Sequence, residues 1–426
     1  MKKVLIITYY WPPAGGPGVQ RIIKFTRQFP DFGWQPIILT VKDPSSPAKD
    51  TSLIDQIPEE CKVYKTNTLE PFTLYKYFTG KKKNASLAKD TIIQRPDEKL
   101  SEKISRIIRA NIFLPDARVG WIPAMIKQGL RIIEQDKPEV IFSTSPPHSL
   151  QLGAKKLAKK SGLKWIADFR DPWVDAYWEK DIERFGFSSR LNQKLEQGVL
   201  ESANVITTVS DGICDHFRMK TDNRFETIYS GFDIVNHDSI RSDYFEIMYF
   251  GNMSKFQSPL PVLKAIDLLP AEKKTRTKII FVGNVFSGFE ELIHQYPDIM
   301  IENRSYLPRD QMMEFGKTAS LLLLINLEIE YGKGLITAKI FDYLSLRKPI
   351  LAIAEKGGSL DELLDKTESG KVFAKHNIKD ISAFIKTHMD LWLEKSVLLL
   401  QDNQNLDPYR TKNNVKKLTE LFEQLS

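Results

Sequence analysis

The run Ile350-Leu-Ala-Ile-Ala354 holds five apolar residues without a polar interruption, and this constrains the fold more than any other stretch of the chain. A strand with one wet face alternates, whereas an unbroken apolar run of strand length suits a parallel sheet covered by helices on both faces. Its flanks agree with that reading. Upstream, Ile336, Ile340, Tyr343 and Leu344 recur at helical spacing, and Pro349 closes the segment. Downstream, Gly357-Gly358 leads into a second helix start. From Tyr331 to Glu362 the order is therefore loop, helix, strand, glycine turn, helix. In an open α/β sheet, ligands sit at the carboxyl ends of the strands, where helix N-terminal N–H groups can receive a phosphate. Gly332 and Gly334 permit close backbone approach, and Lys339 and Asp342 project from other sides of the helix. An ordinary βα unit has the same pattern.

The alternation runs through the whole chain. Residues 1–8 predict a strand, Gly15-Gly16-Pro17-Gly18 a glycine loop, and Ile22, Ile23, Phe25, Thr26 and Phe29 a helix, with Gln35–Thr40 completing a βαβ unit. Glu139–Thr144 reads as a strand, Ser145-Pro-Pro-His148-Ser149 as a turn, and Leu150–Lys160 as a helix. The next strand, Lys164–Asp168, delivers Asp168-Phe-Arg170-Asp171-Pro-Trp173 to its end. Two roles fit those ionisable residues. Asp171 would cap a helix while Arg170 pairs with Asp168, or the group would bind substrate hydroxyls through charge-assisted hydrogen bonds. After a helix at 187–202, a strand at 205–209 and a helix at 211–219, the polar stretch 236–243 reads as a hinge. A second half then opens at Phe245, with Gly251 at a strand end, a helix from about Leu260, strands at Ile279–Gly283-Asn284, Met300–Asn303 and Leu321–Ile325, and an amphipathic helix in the tail.

A length of 426 residues with 42% hydrophobic side chains suffices for two or three packed domains. Cys61 and Cys214 match no metal or redox spacing, which points to a cytosolic chain without disulfides. The N-terminal apolar run is too short for a signal peptide, and no segment approaches the roughly 18 apolar residues of a transmembrane helix. The net charge of +7 fits anionic partners without choosing among them. Most of that excess lies in residues 71–110, where ten basic residues face four acidic ones and Phe72, Leu74, Tyr75, Tyr77 and Phe78 precede Lys81-Lys82-Lys83. This stretch reads either as a solvated basic loop or, over 72–110, as a peripheral contact with an anionic membrane. Such confinement of charge argues against nucleic acid.

The run Thr337-Ala-Lys-Ile-Phe-Asp-Tyr-Leu-Ser-Leu-Arg-Lys-Pro-Ile-Leu351 resembles the donor-binding segment of glycosyltransferase family 4, and the glycine loop at 15–18 and the block 143–173 are similar to others of its segments. The resemblance implies the α/β GT-B fold: two Rossmann-like domains facing a cleft, with a C-terminal helix crossing back to the N-terminal domain. The boundaries it suggests are 1–235 for an acceptor-binding domain, 244–407 for a nucleotide-sugar-binding domain, and about 408–426 for the returning helix. It implies retaining transfer from a UDP- or GDP-sugar to a glycan or lipid-linked acceptor, in cell-surface polysaccharide biosynthesis. Neither cofactor nor metal is expected, since no Asp-x-Asp is present and cations would serve the diphosphate. Asp168, Arg170 and Asp171 become the catalytic candidates. Gly16, Gly18, Asn252, Lys255, Gln257, Gly283, Asn284, Tyr306, Leu307, Lys333, Gly334, Thr337, Lys339 and Asp342 become donor-binding candidates, and Gly15 and His148 acceptor-binding ones.

The chain departs from the family pattern in places. Arg170-Asp171 stands where many members carry His-Asp, Asn252 and Gln257 stand near an arginine and a lysine, and Gly334 stands eight positions before Asp342 in place of a glutamate. Two other functions therefore compete: a nucleotide-sugar epimerase of the same fold, and a non-catalytic binding or partner subunit.

Overall fold

The computed structural model describes residues 1–44, 46, 49–69, 100–233, 240–327 and 332–426. The aromatic and lysine-rich part of the basic stretch, hinge residues 236–239 and Tyr331 lie outside the described residues. The chain forms two compact units, Met1–Tyr229 with Thr411–Ser426, and Ser230–Arg410.

In the first unit seven parallel strands are β1 (Lys2–Thr8), β2 (Trp34–Val41), β3 (Lys62–Thr66), β4 (Val140–Ser145), β5 (Lys164–Phe169), β6 (Val205–Thr208) and β7 (Phe225–Thr227). Their order is β3-β2-β1-β4-β5-β6-β7, so the winding reverses between β1 and β4. Helices α1 (Pro17–Gln28), α2 (Leu100–Ile112), α3 (Ile122–Asp136), α4 (Ser149–Ser161), α5 (Gly186–Leu200) and α6 (Asp211–Arg218) connect them. Central strands are apolar because both faces are covered: every residue of β4 is buried, and Val4–Ile7 of β1 have no exposure. Pro17 opens α1, whose missing N–H costs nothing at a first helical position. A last helix, Thr411–Leu425, supplies Val415, Leu418, Leu421 and Phe422 to the same core. Phe422 sets its ring 5.2 Å from Trp34 and 5.6 Å from Phe29.

The second unit repeats the plan with six strands: β8 (Phe245–Phe250), β9 (Thr277–Val282), β10 (Met300–Arg304), β11 (Leu321–Ile325), β12 (Ile350–Ile353) and β13 (Gly370–Phe373). The order β10-β9-β8-β11-β12-β13 reverses between β8 and β11. Its helices are α7 (Leu260–Asp267), α8 (Ala271–Lys274), α9 (Phe289–Ile293), α10 (Arg309–Phe315), α11 (Lys339–Leu346), α12 (Ser359–Thr367) and α13 (Ile378–Lys395), which makes Thr411–Leu425 α14. Both units are thus Rossmann-like α/β domains wound the same way. Residues 230–233, read from the sequence as the end of the first half, sit in the second unit: Phe232 is buried there and its N–H donates to the Tyr409 carbonyl at 3.0 Å. No helix of the described residues is long and apolar enough to cross a membrane.

Candidate functional site

Winding reversal parts the loops that leave neighbouring strands, which opens a crevice at their carboxyl ends. In the first sheet the loops after β1 and β4 carry Gly15–Gly18 and Ser145–His148, and the adjacent loop after β5 carries Arg170 and Asp171. Gly16 has φ 106°, in the left-handed region that favours glycine. Gly18 lies under a side chain. A Cβ there would lie 2.8 Å from the Arg170 guanidinium carbon, so the side chain of Arg170 lies directly on the glycine loop. That guanidinium donates to Thr144 Oγ1 at 2.9 Å and to the Pro146 carbonyl at 3.0 Å. Burial pulls the pKa of Arg170 below the usual arginine value, against the attraction of Asp168.

Asp168 itself has no exposure. Its Oδ2 accepts from Arg21 Nη1 at 2.7 Å and Thr144 Oγ1 at 2.6 Å, and its Oδ1 from Arg21 Nη2 at 3.1 Å and Thr207 Oγ1 at 2.8 Å. Four donors occupy both oxygens, which makes Asp168 the brace under the loop and leaves nothing for a substrate. The expected Arg170–Asp168 pair is therefore formed instead by Arg21, from the buried side of α1. Asp171 is half-buried, next to Arg170, and makes no hydrogen bond among the described residues. His148 is buried between rings, stacked on Trp173 at 5.2 Å and on Phe169 at 6.0 Å. Gly15 is packed against Asp50.

The second sheet brings the donor candidates together more closely. Gly251 follows β8 with φ 101°, and a Cβ on it would meet Lys339 Cε at 2.7 Å. Gly283 follows β9 with φ 135°, and a Cβ there would strike the Gly251 carbonyl at 2.7 Å. Two glycines thus stack the turns so that Lys339, from the first turn of α11, lies over them. Lys339 Nζ donates to Tyr249 Oη at 2.5 Å and to the Asn252 carbonyl at 3.3 Å, and sits 4.2 Å from the centre of the Tyr249 ring. Burial, with no carboxylate among the described residues to offset it, lowers its pKa to about 8. Asn252 Oδ1 accepts from the Asn284 backbone at 3.3 Å and from its side chain at 3.2 Å, joining the two turns.

Other candidates go elsewhere. Gln257 turns back into the fold, where its Nε2 donates to the Ile325 carbonyl at 2.8 Å and its Oε1 accepts from the Ser254 N–H at 3.2 Å; it ties the turn and does not replace a cation. Lys255 is exposed and reaches over the Phe256 ring at 5.1 Å. Tyr306 is exposed with Leu307 half-buried beside it. Lys333 is exposed, and the Gly332–Gly334 turn presses on Gly358, where a Cβ would meet the Lys333 carbonyl at 2.5 Å. Thr337 Oγ1 is 3.5 Å from the Lys339 N–H. Asp342, one turn after Lys339, is clamped by Arg309: Nε at 2.9 Å and Nη2 at 2.7 Å both reach Oδ1. No described residue donates to Oδ2. Arg309, Tyr249 and Arg21 were not singled out from the sequence, because each acquires its meaning from a partner far along the chain.

No protein-family model matches the sequence, and no curated protein does. Solved structures match across the whole chain. Sucrose-phosphate synthase of Thermosynechococcus elongatus has a TM-score of 0.64 at 12% identity, covering 100% of this chain and 99% of its own. HepE of Anabaena, solved with UDP-glucose, has a TM-score of 0.63 at 13% identity, covering 100% of both chains. A glycosyltransferase of Rickettsia africae has a TM-score of 0.60 at 12% identity, covering 100% of this chain and 98% of its own. The chain has the GT-B fold. At these identities the likeness concerns architecture alone.

Proposed function

We propose that the protein is a retaining glycosyltransferase that moves a sugar from a nucleotide-diphosphate sugar to a glycan or lipid-linked acceptor in cell-surface polysaccharide biosynthesis. One observation carries this reading: a half-buried lysine with no carboxylate partner among the described residues, Lys339, lies across Gly251 at the reversal point of the second sheet. An unneutralised cation at a glycine-lined strand edge is what a departing diphosphate requires, since charge developing on the leaving oxygen is stabilised by fixed donors. Lys339 Nζ and the amide of Asn252 hold the diphosphate, and the half-open Asp342 carboxylate accepts hydroxyls of the donor. With Lys339 supplying the charge, the reading is of a metal-independent enzyme taking a UDP- or GDP-sugar. On the first unit, Arg170 and Asp171 stand at the sheet edge to orient and deprotonate an acceptor hydroxyl, with Gly15 and His148 shaping the surface. The experiment is donor hydrolysis and thermal shift across UDP-, GDP-, ADP- and dTDP-sugars, with chelator present. Stabilisation and slow turnover of one nucleotide class support the reading. Binding of none points to a partner subunit, and isomerised donor without acceptor points to an epimerase.

A further inference from the structure

We propose that the first unit docks on an anionic lipid surface through an apolar cluster on α2 and the start of α5. Four side chains form it: Ile108 is 44% exposed, Ile112 68%, Phe185 61% and Phe187 78%. An aliphatic or aromatic side chain left this open is common singly, but here two short elements present four together. Asn111 holds those elements side by side. Its Oδ1 accepts from the Phe185 N–H at 2.6 Å, its Nδ2 donates to the Glu183 carbonyl at 2.9 Å, and its own carbonyl accepts from Ser188 Oγ at 3.2 Å. Arg184 adds a rigid support, donating to the carbonyls of Ala110 and Pro115 while Glu179 pairs with it at 2.9 Å. The phenylalanines therefore stand on a braced corner.

Charge selects the occupant. Along α5, Arg190 and Lys194 follow Phe187 at spacings of three and seven, which puts all three on one helix face. Both cations are exposed and make no ion pair among the described residues, and Lys103 on α2 is exposed as well. Of the nearby carboxylates among the described residues, Glu183 pairs with Arg106 at 3.0 Å and Glu179 with Arg184. Asp175 and Glu196, which line one concavity with Arg190 and Lys194, are held by Lys220, and Asp181 is exposed. Rings and aliphatic side chains beside exposed cations that form no ion pair among the described residues suit the headgroup boundary of a bilayer containing anionic lipid, where the apolar groups enter and the cations meet phosphates. An ordinary protein partner offers no such dense negative plane.

The inference extends the reading of a lipid-linked acceptor, and lipid binding is measured without any donor so that the two fail separately. The full chain is sedimented with vesicles of phosphatidylcholine alone, or with phosphatidylglycerol as roughly a third of the lipid. Wild type should pellet with the anionic vesicles and lose that binding as salt rises. Phe185→Ser with Phe187→Ser, and separately Arg190→Glu with Lys194→Glu, should each weaken binding about tenfold or more at unchanged melting temperature, because these side chains are exposed. Absence of binding by wild type overturns the proposal. So does either variant pelleting like wild type, which would assign the binding to other residues such as the lysines at 81–83. A wild-type dimer that the phenylalanine variant converts to monomer in light scattering also overturns it, by making the face a contact between copies.

Discussion

Lys339 gives the most direct test of the site, through pH. Burial lowers its ammonium to about 8, whereas the hydroxyl of its neighbour Tyr249 is pushed up by burial and keeps its proton through the same range. A group titrating near 8 is roughly nine-tenths charged at pH 7 and roughly one-tenth charged at pH 9. A diphosphate bound against Nζ favours the ammonium and raises its pKa in the complex. Binding above pH 8 must therefore take up a proton. Affinity for UDP should be full below pH 8 and fall about tenfold from pH 7 to pH 9, equivalent to about 1.4 kcal/mol. Isothermal titration at both pH values, in buffers of different ionisation enthalpy, reads both the affinity and the proton uptake. Lys339→Arg should bind with little pH dependence because a guanidinium stays charged, and Lys339→Met should bind weakly throughout. The lowered pKa also makes the charged lysine a cost to folding at neutral pH, relieved as pH rises from about 8 toward the ordinary lysine value, so Lys339→Met should be at least as stable as wild type. Flat UDP affinity across this range, or a slope in Lys339→Arg equal to wild type, refutes the assignment.

Removing Asp168 should damage folding rather than catalysis alone. Asp168→Ala leaves the Arg21 guanidinium buried without its carboxylate, at a cost of about 3–5 kcal/mol seen as a lower urea midpoint, while the paired change Arg21→Met with Asp168→Leu should recover much of it. Asp342→Asn keeps the size but weakens the grip of Arg309; nucleotide-sugar affinity should drop about tenfold with the melting temperature nearly unchanged, and Arg309→Lys should also bind the nucleotide-sugar less tightly than wild type because a lysine cannot fork onto one oxygen.

Elements whose residues report their own burial were legible in the sequence. Runs such as Leu321–Ile325 and Ile350–Ile353 are apolar throughout because helices cover both faces, and their type needs no knowledge of partners. Strand β3, Lys62–Thr66, was not read because an edge strand with two exposed lysines carries no such run, and β7 is only three residues long. The same distinction divides the site. Glycines 251 and 283 announce turns, and Lys339 sits in a recognisable segment. Arg309 gains its role only by reaching Asp342 across 33 positions, and Arg21 by reaching Asp168 across 147. Gln257, which the sequence offers as a phosphate donor, is drawn instead to the Ile325 carbonyl at the end of β11, a partner 68 positions away.

Helix α14 makes the first unit discontinuous, and that orders events during synthesis. Tyr229 and Thr411 are about 180 positions apart, with the whole of the second unit lying between them. At about 5–20 residues per second, the ribosome needs roughly 10–40 s to span that gap. Throughout that interval Phe29, Trp34 and Phe142 have emerged while Phe422, whose ring packs on all three, has not. The second unit, continuous in sequence, can complete its core first. The nascent first unit meanwhile exposes an aromatic socket, the kind of surface a chaperone holds.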